Sequence, residues 1–226
     1  MSKIIFTENR TEDSTRGLAL LRWNQWNPGL DNDHLTMGEV IQSLPQAPPD
    51  AIPWQVKLLE NDEWWTSFPG AISLARHDCV HVLLGRGLMP QDEAFVIGFT
   101  MGAAKHCKGW QYQIFRIAAK NFYPHPYRFT RDHMIAFDLA FARGTNSDAS
   151  NLEYFPFERF MDYTVGDLRK RLGINHHQLR AIYRHEQILL PTTRESRRLD
   201  IDWKRTDPSS IYAPEGEPID PADVVK

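Results

Sequence analysis

Two histidines and two acidic residues stand close together near the middle of the chain, at a spacing that suits metal binding. His77 and His81 are four residues apart, and Asp78 follows the first of them directly. On a helix, residues i and i+4 lie on one face, and Asp78 falls about 100° round the axis from His77. The three side chains therefore share one sector of a helix. Residues 82–84 beside them are apolar, so we expect this sector to face inward.

A short chain reversal is predicted to bring a fourth polar group to this sector. Gly85, Gly87 and Pro90 indicate that the helix ends and that the next one begins with an acidic first turn, which includes Glu93. The reversal can return this glutamate to the end of the first helix. Burying two imidazoles and a carboxylate without partners costs several kcal/mol, and a metal ion is one common remedy. The residues predicted to hold a divalent metal are His77, Asp78, His81 and Glu93.

The same residues allow other interpretations. A histidine pair at i and i+4 can be a hydrogen-bonded pair near a surface, and Asp78 can pair with the neighbouring Arg76. Cys79 is not expected to be a ligand because it lies about 200° round the helix from His77, where a cysteine packs as a small apolar residue. If a metal is bound, two histidines with carboxylates favour zinc, while non-haem iron and magnesium stay open.

The motif resembles the metal-binding signature of the coenzyme Q biosynthesis protein 4 family. That signature is H-D-x-x-H, eleven further residues and a glutamate, with a glycine four residues after the second histidine. Five residues match it in order: His77, Asp78, His81, Gly85 and Glu93. A second stretch, 157–160 followed by 167–174, resembles the family's C-terminal segment. The resemblance covers about residues 70 to 175.

This resemblance implies a function in ubiquinone or related prenylquinone biosynthesis. The protein would bind a polyprenylated quinone precursor beside the metal, and it would either present this lipid to other enzymes of quinone biosynthesis or decarboxylate its ring. Decarboxylation would make it a lyase or oxidoreductase. A non-catalytic isoprenoid carrier or scaffold is an alternative, because a carrier and a slow enzyme need the same pocket. The motif assigns no residue a catalytic role.

Small residues on the helix after the motif have two interpretations. Gly98 and Gly102 are four residues apart, and this spacing usually lets two helices approach closely. The resemblance favours a second interpretation, in which the small side chains leave a groove for a long apolar ligand beside the metal. The residues predicted to line that groove are Phe95, Gly98, Phe99 and Gly102.

The composition is that of a soluble globular protein. The 226 residues are 42% hydrophobic and 24% charged, and the net charge of −3 gives no general attraction to nucleic acid. Only two cysteines are present, which favours a reducing compartment. There is no secretory signal at Met1 and no apolar run near the roughly 20 residues of a membrane span. We expect a cytoplasmic protein whose membrane contact, on the inner face, is peripheral.

Helical periodicity recurs along the chain and strand alternation does not. The pattern predicts an all-α, single-domain bundle of about seven or eight helices. It places helices over 15–26, 35–44 and 53–60 and a buried, apolar helix over 92–107, with helix caps at Thr130 and Thr164. The helical domain is expected to cover residues 1–190, and a polar C-terminal tail to cover 191–226. The apolar helices can pack within one chain or across a homodimer.

Two rival functions compete with the quinone hypothesis. The motif is close to H-E-x-x-H, so a metal-dependent hydrolase with Asp78 or Glu93 as general base is the first. The second is nucleic-acid binding by a helix-turn-helix at 164–190. Its local basic residues are Arg169, Lys170, Arg171, Arg180 and Arg184. The acidic net charge weighs against this reading, and no nucleic-acid partner is expected.

Overall fold

A computed structural model describes residues 23–45, 72–121, 128–149 and 152–199. Within these ranges every regular element is a helix, and the only strand-like contact is an isolated antiparallel bridge between Thr36 and Thr164. The described part is therefore an all-α, single-domain bundle, which confirms the fold class expected from the sequence.

Eight α-helices and two short 3-10 turns follow one another along the described residues. The helices are α1 (Met37–Gln42), α2 (Leu74–Leu84), α3 (Pro90–Ala103), α4 (Gly109–Asn121), α5 (Arg131–Thr145), α6 (Val165–Arg171), α7 (His176–Leu189) and α8 (Arg194–Arg197). The 3-10 turns lie at Leu152–Tyr154 and Phe157–Arg159, between α5 and α6.

Side-chain caps explain where several helices begin. In five of them the residue before the helix accepts a hydrogen bond from the backbone N–H three positions on, which satisfies a donor that has no partner inside the helix. The capping residues are Thr36, Thr130, Thr164, Asn175 and Thr193. Such a cap contributes about 1 kcal/mol, and the expected caps at Thr130 and Thr164 are confirmed.

Helix α3 is the centre of the bundle. Every residue from Gln91 to Ala103 is buried, as the apolar content of this segment predicted. One side of the helix, which includes Phe95 and Phe99, packs into a core shared with α2, α6 and α7. The other side, which includes Ile97, packs into a second core shared with α4 and α5. Glu93 is therefore carried by a helix that has no solvent-facing side.

The glycines of α3 let α5 approach it closely. A Cβ atom built on Gly98 would lie 2.4 Å from the carbonyl oxygen of Phe137, and one on Gly102 would lie 2.3 Å from that of Phe141. Gly144 on α5 has the reciprocal contact, 2.3 Å from the carbonyl oxygen of Phe99. These distances leave no room for a side chain, so the spacing of small residues serves helix packing here.

Side chains from α6 and α7 hold the C-terminal end of α2. Arg169 is buried and donates from Nε to the carbonyl oxygen of Leu83 at 2.7 Å and from Nη2 to that of Val82 at 3.3 Å. The hydroxyl of Tyr183 donates to the carbonyl of the last residue of α2. The last four carbonyls of a helix have no partner inside it, so these bonds fix the helix end beside His81.

A buried charge network joins the chain after α7 to the start of α3. The guanidinium of Arg86 donates to both carboxylate oxygens of Glu186, at 3.0 and 3.1 Å, and lies 4.4 Å above the ring of Phe95. Asp92 pairs with Nε of Arg86 at 3.2 Å and, through its other oxygen, with Arg198. The predicted polar tail therefore begins with a segment, 191–199, that packs against the helical domain.

Several helices expected from the sequence can be compared with the structure and others cannot. The helix expected over 35–44 is present as α1, and the helix expected to follow the motif is α3, ending at Ala103 rather than at 107. Most of the helix expected over 15–26, the whole helix expected over 53–60 and the tail from residue 200 lie outside the described residues.

The turn after α2 provides a test of the fold. Gly85 has a φ of +63°, and a Cβ there would lie 2.4 Å from the carbonyl oxygen of Gly29. We expect Gly85→Ala to lower the free energy of unfolding by about 2 kcal/mol or more, because both the left-handed backbone and the close contact oppose a side chain. Urea unfolding followed by circular dichroism measures the change.

Gly109→Ala is the matched control for this substitution. Gly109 begins α4, and a Cβ built there meets nothing within 4 Å. Alanine also has the higher helix propensity, so stability should stay the same or rise slightly. An equal loss of stability in both variants would contradict the role assigned to the turn at Gly85.

Candidate metal centre

Three side chains from α2 and α3 converge on one point. The Nε2 atom of His77 lies 3.0 Å from Oε2 of Glu93, and the Nε2 atom of His81 lies 3.2 Å from Oε1 of the same carboxylate. The two Nε2 atoms are 3.0 Å apart. Among the residues that the structure describes, this is the only group of three or more histidine, cysteine or acidic side chains with the spacing of a metal site.

The reversal between α2 and α3 brings Glu93 to the histidines. Pro90 is the first residue of α3, and the backbone N–H of Met89 donates to the side chain of Asp92 at 3.2 Å. These features start the helix three residues before Glu93, so its side chain falls in the first turn and faces α2. The sequence-based prediction that the reversal returns Glu93 to the end of the first helix, near His81, is confirmed.

The second ring nitrogen of His81 binds the backbone of the same reversal. Its Nδ1 atom lies 2.7 Å from the carbonyl oxygen of Gly87. A carbonyl can only accept, so Nδ1 carries a proton and Nε2 is the nitrogen that faces Glu93, where it can bind a metal once it is unprotonated. Histidines that bind metals are commonly held in this way by a backbone carbonyl or a carboxylate on the other nitrogen.

The site is almost closed to solvent, and its charges are coupled. The exposed fractions of the side chains are 5% for His77, 0% for His81 and 1% for Glu93. Burial alone would raise the pKa of Glu93, but His81 and His77 hold it well below its ordinary value. Burial alone would lower the pKa of His81, but Glu93 raises it. The carboxylate is therefore ionised at neutral pH, as a metal ligand must be.

The donor geometry fits a single divalent ion. With bonds of about 2.0–2.2 Å from the metal to nitrogen or oxygen, ligand atoms lie about 3 Å apart at right angles and about 3.4 Å apart in a tetrahedron. The two Nε2 atoms are 3.0 Å apart, within these limits, and each lies 3.0 to 3.2 Å from a different oxygen of the Glu93 carboxylate, so this carboxylate is within reach of the same ion. Three protein ligands also leave further coordination positions, as in catalytic zinc sites and in the two-histidine, one-carboxylate sites of non-haem iron.

Asp78, the fourth predicted ligand, is not a member of the three-residue group. It lies next to His77 on α2, is half-buried, and interacts electrostatically with His77, His81 and Glu93. Burial raises the pKa of Asp78, and the two histidines only partly offset this effect. The carboxyl is thus close enough to feel the charge of the site. Its ligation of a metal stays a prediction.

The structure also bears on the other interpretations of the motif. Arg76 pairs with Glu158, with Nη2 2.8 Å from Oε1, and so has a different partner from the neighbouring Asp78 that the sequence suggested. The thiol of Cys79 is buried and donates to the carbonyl of Ala75, and burial raises the pKa of Cys79 to about 12. A thiol of this kind packs as an apolar residue, as expected.

Sequence reasoning missed the residues that hold the site in place. Nothing in the residue types identifies the carbonyl of Gly87 as the partner of His81. A Cβ on Gly87 would lie 2.5 Å from the carbonyl of Trp26, so only glycine fits this position. The glycine itself was the available signal, because a glycine inside a short turn often marks a close backbone approach.

The four residues predicted to line a lipid groove are all buried in α3. Phe95 packs edge-on against Tyr183, with ring centroids 5.2 Å apart, and Phe99 is 1% exposed. The faces of Gly98 and Gly102 are filled by the backbone of α5. A groove at this face would therefore require α3 and α5 to separate.

The predicted helix-turn-helix is present as α6 and α7, joined through Gly173 with a φ of +69°. Two of its five basic residues bind other parts of the protein. Arg169 is buried against the end of α2, and Arg180 pairs with Asp31 at 2.5 Å. These contacts reduce the basic surface that a nucleic-acid backbone would need.

Comparisons with known proteins found no relative of this chain. No family model, no curated protein and no solved structure matches the chain. Family membership implied by the motif therefore stays a prediction. Within the described residues, none of the helices combines the length and the hydropathy that crossing a bilayer requires.

The ligand assignment predicts a loss of bound metal on substitution. We expect protein loaded with zinc or iron(II) to hold about one ion per chain, and His81→Ala and Glu93→Gln each to lower metal affinity by at least tenfold, since each removes one of three ligands. Elemental analysis after dialysis measures the content. His185→Ala, which changes an exposed histidine of α7, is the control. Unchanged metal in both site variants would contradict the assignment.

Asp78→Asn separates the fourth candidate ligand from the other three. If Asp78 binds the ion directly, its loss should lower the metal content as much as the loss of His81 does. If it acts from beside the site, the metal content should stay near one ion per chain while the dissociation rate rises modestly, because a nearby negative charge is removed. Competition with a chromogenic chelator measures this rate.

Proposed function

We propose that the protein binds one divalent metal ion through His77, His81 and Glu93, and that this ion is the centre of its activity. The supporting observation is the convergence of two Nε2 atoms and a carboxylate in an almost closed site. The bond from His81 Nδ1 to the carbonyl of Gly87 supports it further, because it leaves the correct nitrogen for the metal. Zinc and iron(II) both suit this ligand set.

The protein's own residues prepare the site for chemistry. An ion bound there would supply Lewis-acid polarisation or, if it is iron, redox chemistry. The reversal at Gly87 orients His81, and the apolar surroundings on α2 and α3 exclude water. The side of the site at His77 and Asp78 is the approach for a ligand, since these are its least buried members. In this proposal the carboxyl of Asp78 would accept or donate a proton on that side.

We infer the substrate class from the motif. Five residues match the signature of the coenzyme Q biosynthesis protein 4 family, and each has a role in the structure that suits the match. His77, His81 and Glu93 form the ligand group, Gly85 makes the turn, and Asp78 stands beside the group. The ligand would be a polyprenylated quinone precursor. The protein would present it to other enzymes of prenylquinone biosynthesis or decarboxylate its ring.

A hydrolase is the second candidate, and one observation favours it. Asp78 lies beside the ligand group without being a member of it, which is the place of the general base in H-E-x-x-H metalloenzymes. Because Glu93 is taken up by the ligand group, Asp78 is the residue left for this role. The hydrolase hypothesis therefore predicts that Asp78→Asn abolishes turnover while the metal stays bound.

Solvent extraction of the purified protein, followed by mass spectrometry, tests the substrate class. A polyprenyl compound in the extract supports the quinone proposal, and metal-dependent release of carbon dioxide from a polyprenylated ring acid, lost in Glu93→Gln, supports the enzyme over the carrier. A clean extract from metal-loaded protein that cleaves peptides or phosphate esters would overturn the quinone proposal in favour of the hydrolase. His185→Ala is again the matched control.

A further inference from the structure

Helix α4 has an apolar side that faces solvent. Trp110 is 59% exposed, Ile114 is 43% exposed and Ile117 is 56% exposed. These residues are four and three positions apart, so they lie within one sector of about 60° on the helix. We call this sector the α4 outer face. The inner side of the same helix, with Phe115 and Ala119, is buried in the second core.

The α4 outer face is exposed although α4 is well anchored. Phe115 stacks on Phe137 with ring centroids 4.9 Å apart, and the hydroxyl of Tyr112 donates to Asp138 at 2.7 Å. The helix therefore has a packed side that accounts for its place in the fold. The exposed tryptophan and isoleucine add nothing to that packing, and large apolar side chains grouped on a surface mark an interaction site.

The charged residues of the α4 segment itself have one sign. Residues 105–121 include four lysines or arginines and no aspartate or glutamate, in a chain whose net charge is −3. Lys108, just before the helix, and Lys120, near its end, are exposed. Arg116 lies between them and pairs with Asp138 at 3.1 Å. A basic amphipathic helix with tryptophan on its apolar side has the composition of helices that lie in the interface of an anionic bilayer.

A second copy of the chain fits this face less well. In a symmetric dimer the same patch meets itself, so the lysines at both ends of the helix would be brought against each other. An anionic lipid surface has the opposite charge and attracts each nearby lysine by about 1 kcal/mol. Tryptophan also favours the boundary between headgroups and acyl chains.

We propose that the α4 outer face docks the protein on an anionic lipid bilayer, with Trp110 and Ile114 inserted at the headgroup boundary and Lys108 and Lys120 against lipid phosphates. This interaction does not depend on the metal ion. It complements a membrane-dissolved prenyl substrate, but it rests on α4 alone. Loss of docking would leave the metal site intact, and loss of metal would leave docking intact.

Vesicle sedimentation of the full chain tests the proposal. We expect the protein to bind vesicles of phosphatidylcholine with phosphatidylglycerol more tightly than vesicles of phosphatidylcholine alone. Trp110→Ala should weaken binding by roughly tenfold and Ile114→Ala by somewhat less, as expected for losing apolar area at the interface. Lys108→Gln and Lys120→Gln should each weaken binding to the anionic vesicles by about fivefold.

Matched controls make the result specific to this helix. Ile188 lies near the end of α7 and is 74% exposed, so Ile188→Ala removes similar apolar area from another surface and should leave vesicle binding unchanged. Equal melting temperatures of all variants exclude a folding defect. Binding that is unaffected by the α4 substitutions, or absent with both kinds of vesicle, would overturn the proposal. So would a dimer in size-exclusion chromatography that Ile114→Ala dissociates, since a second copy would then cover the face.

Discussion

The carboxylate of Glu93 is almost completely buried, and its ionised state must be compensated there. Taking a carboxylate out of water costs several kcal/mol, and the two imidazoles beside it, at 3.0 and 3.2 Å, are the groups that meet this cost. This requirement couples α2 to α3 at one fixed register. A shift of either helix by one residue would leave a buried charge without a partner.

Contacts on both sides of the turn between α2 and α3 hold the two helices in this register. Arg169 and Tyr183 bind the last carbonyls of α2, so the histidine-bearing helix cannot unwind or slide. On the other side, Asp92 is held by Arg86 and Arg198, which fixes the first turn of α3 next to Glu93. The chain from α6 to residue 199 thus acts on a site to which it contributes no ligand. Breaking such buried pairs by removing one member usually costs about 3–5 kcal/mol.

Patterns that are local in the sequence predicted the helical class, helix α1 and the caps at Thr130 and Thr164. They also predicted the glycine turn at 85 and the return of Glu93 to His81. Each of these features depends on residues that are close together along the chain. The supports of the site could not be predicted in this way. Arg86 is 100 positions from its partner Glu186, and Arg169 reaches α2 across 86 positions. The residue type of Arg169 suggested part of a basic surface for nucleic acid, whereas this side chain is buried and donates to helix carbonyls. The sequence also could not decide whether Gly98 and Gly102 leave a lipid groove or allow two helices to pack closely. Only the position of α5 in the structure distinguishes the two.

The coordination of a bound ion tests the account most directly. X-ray absorption spectroscopy of protein loaded with one equivalent of zinc should show nitrogen or oxygen neighbours at about 2.0–2.2 Å together with the outer-shell scattering of two imidazole rings. That result is the one expected of an ion held by His77, His81 and Glu93. A sulfur neighbour at about 2.3 Å, or a shell without imidazole scattering, would mean that the ion binds elsewhere and would contradict the metal centre described above.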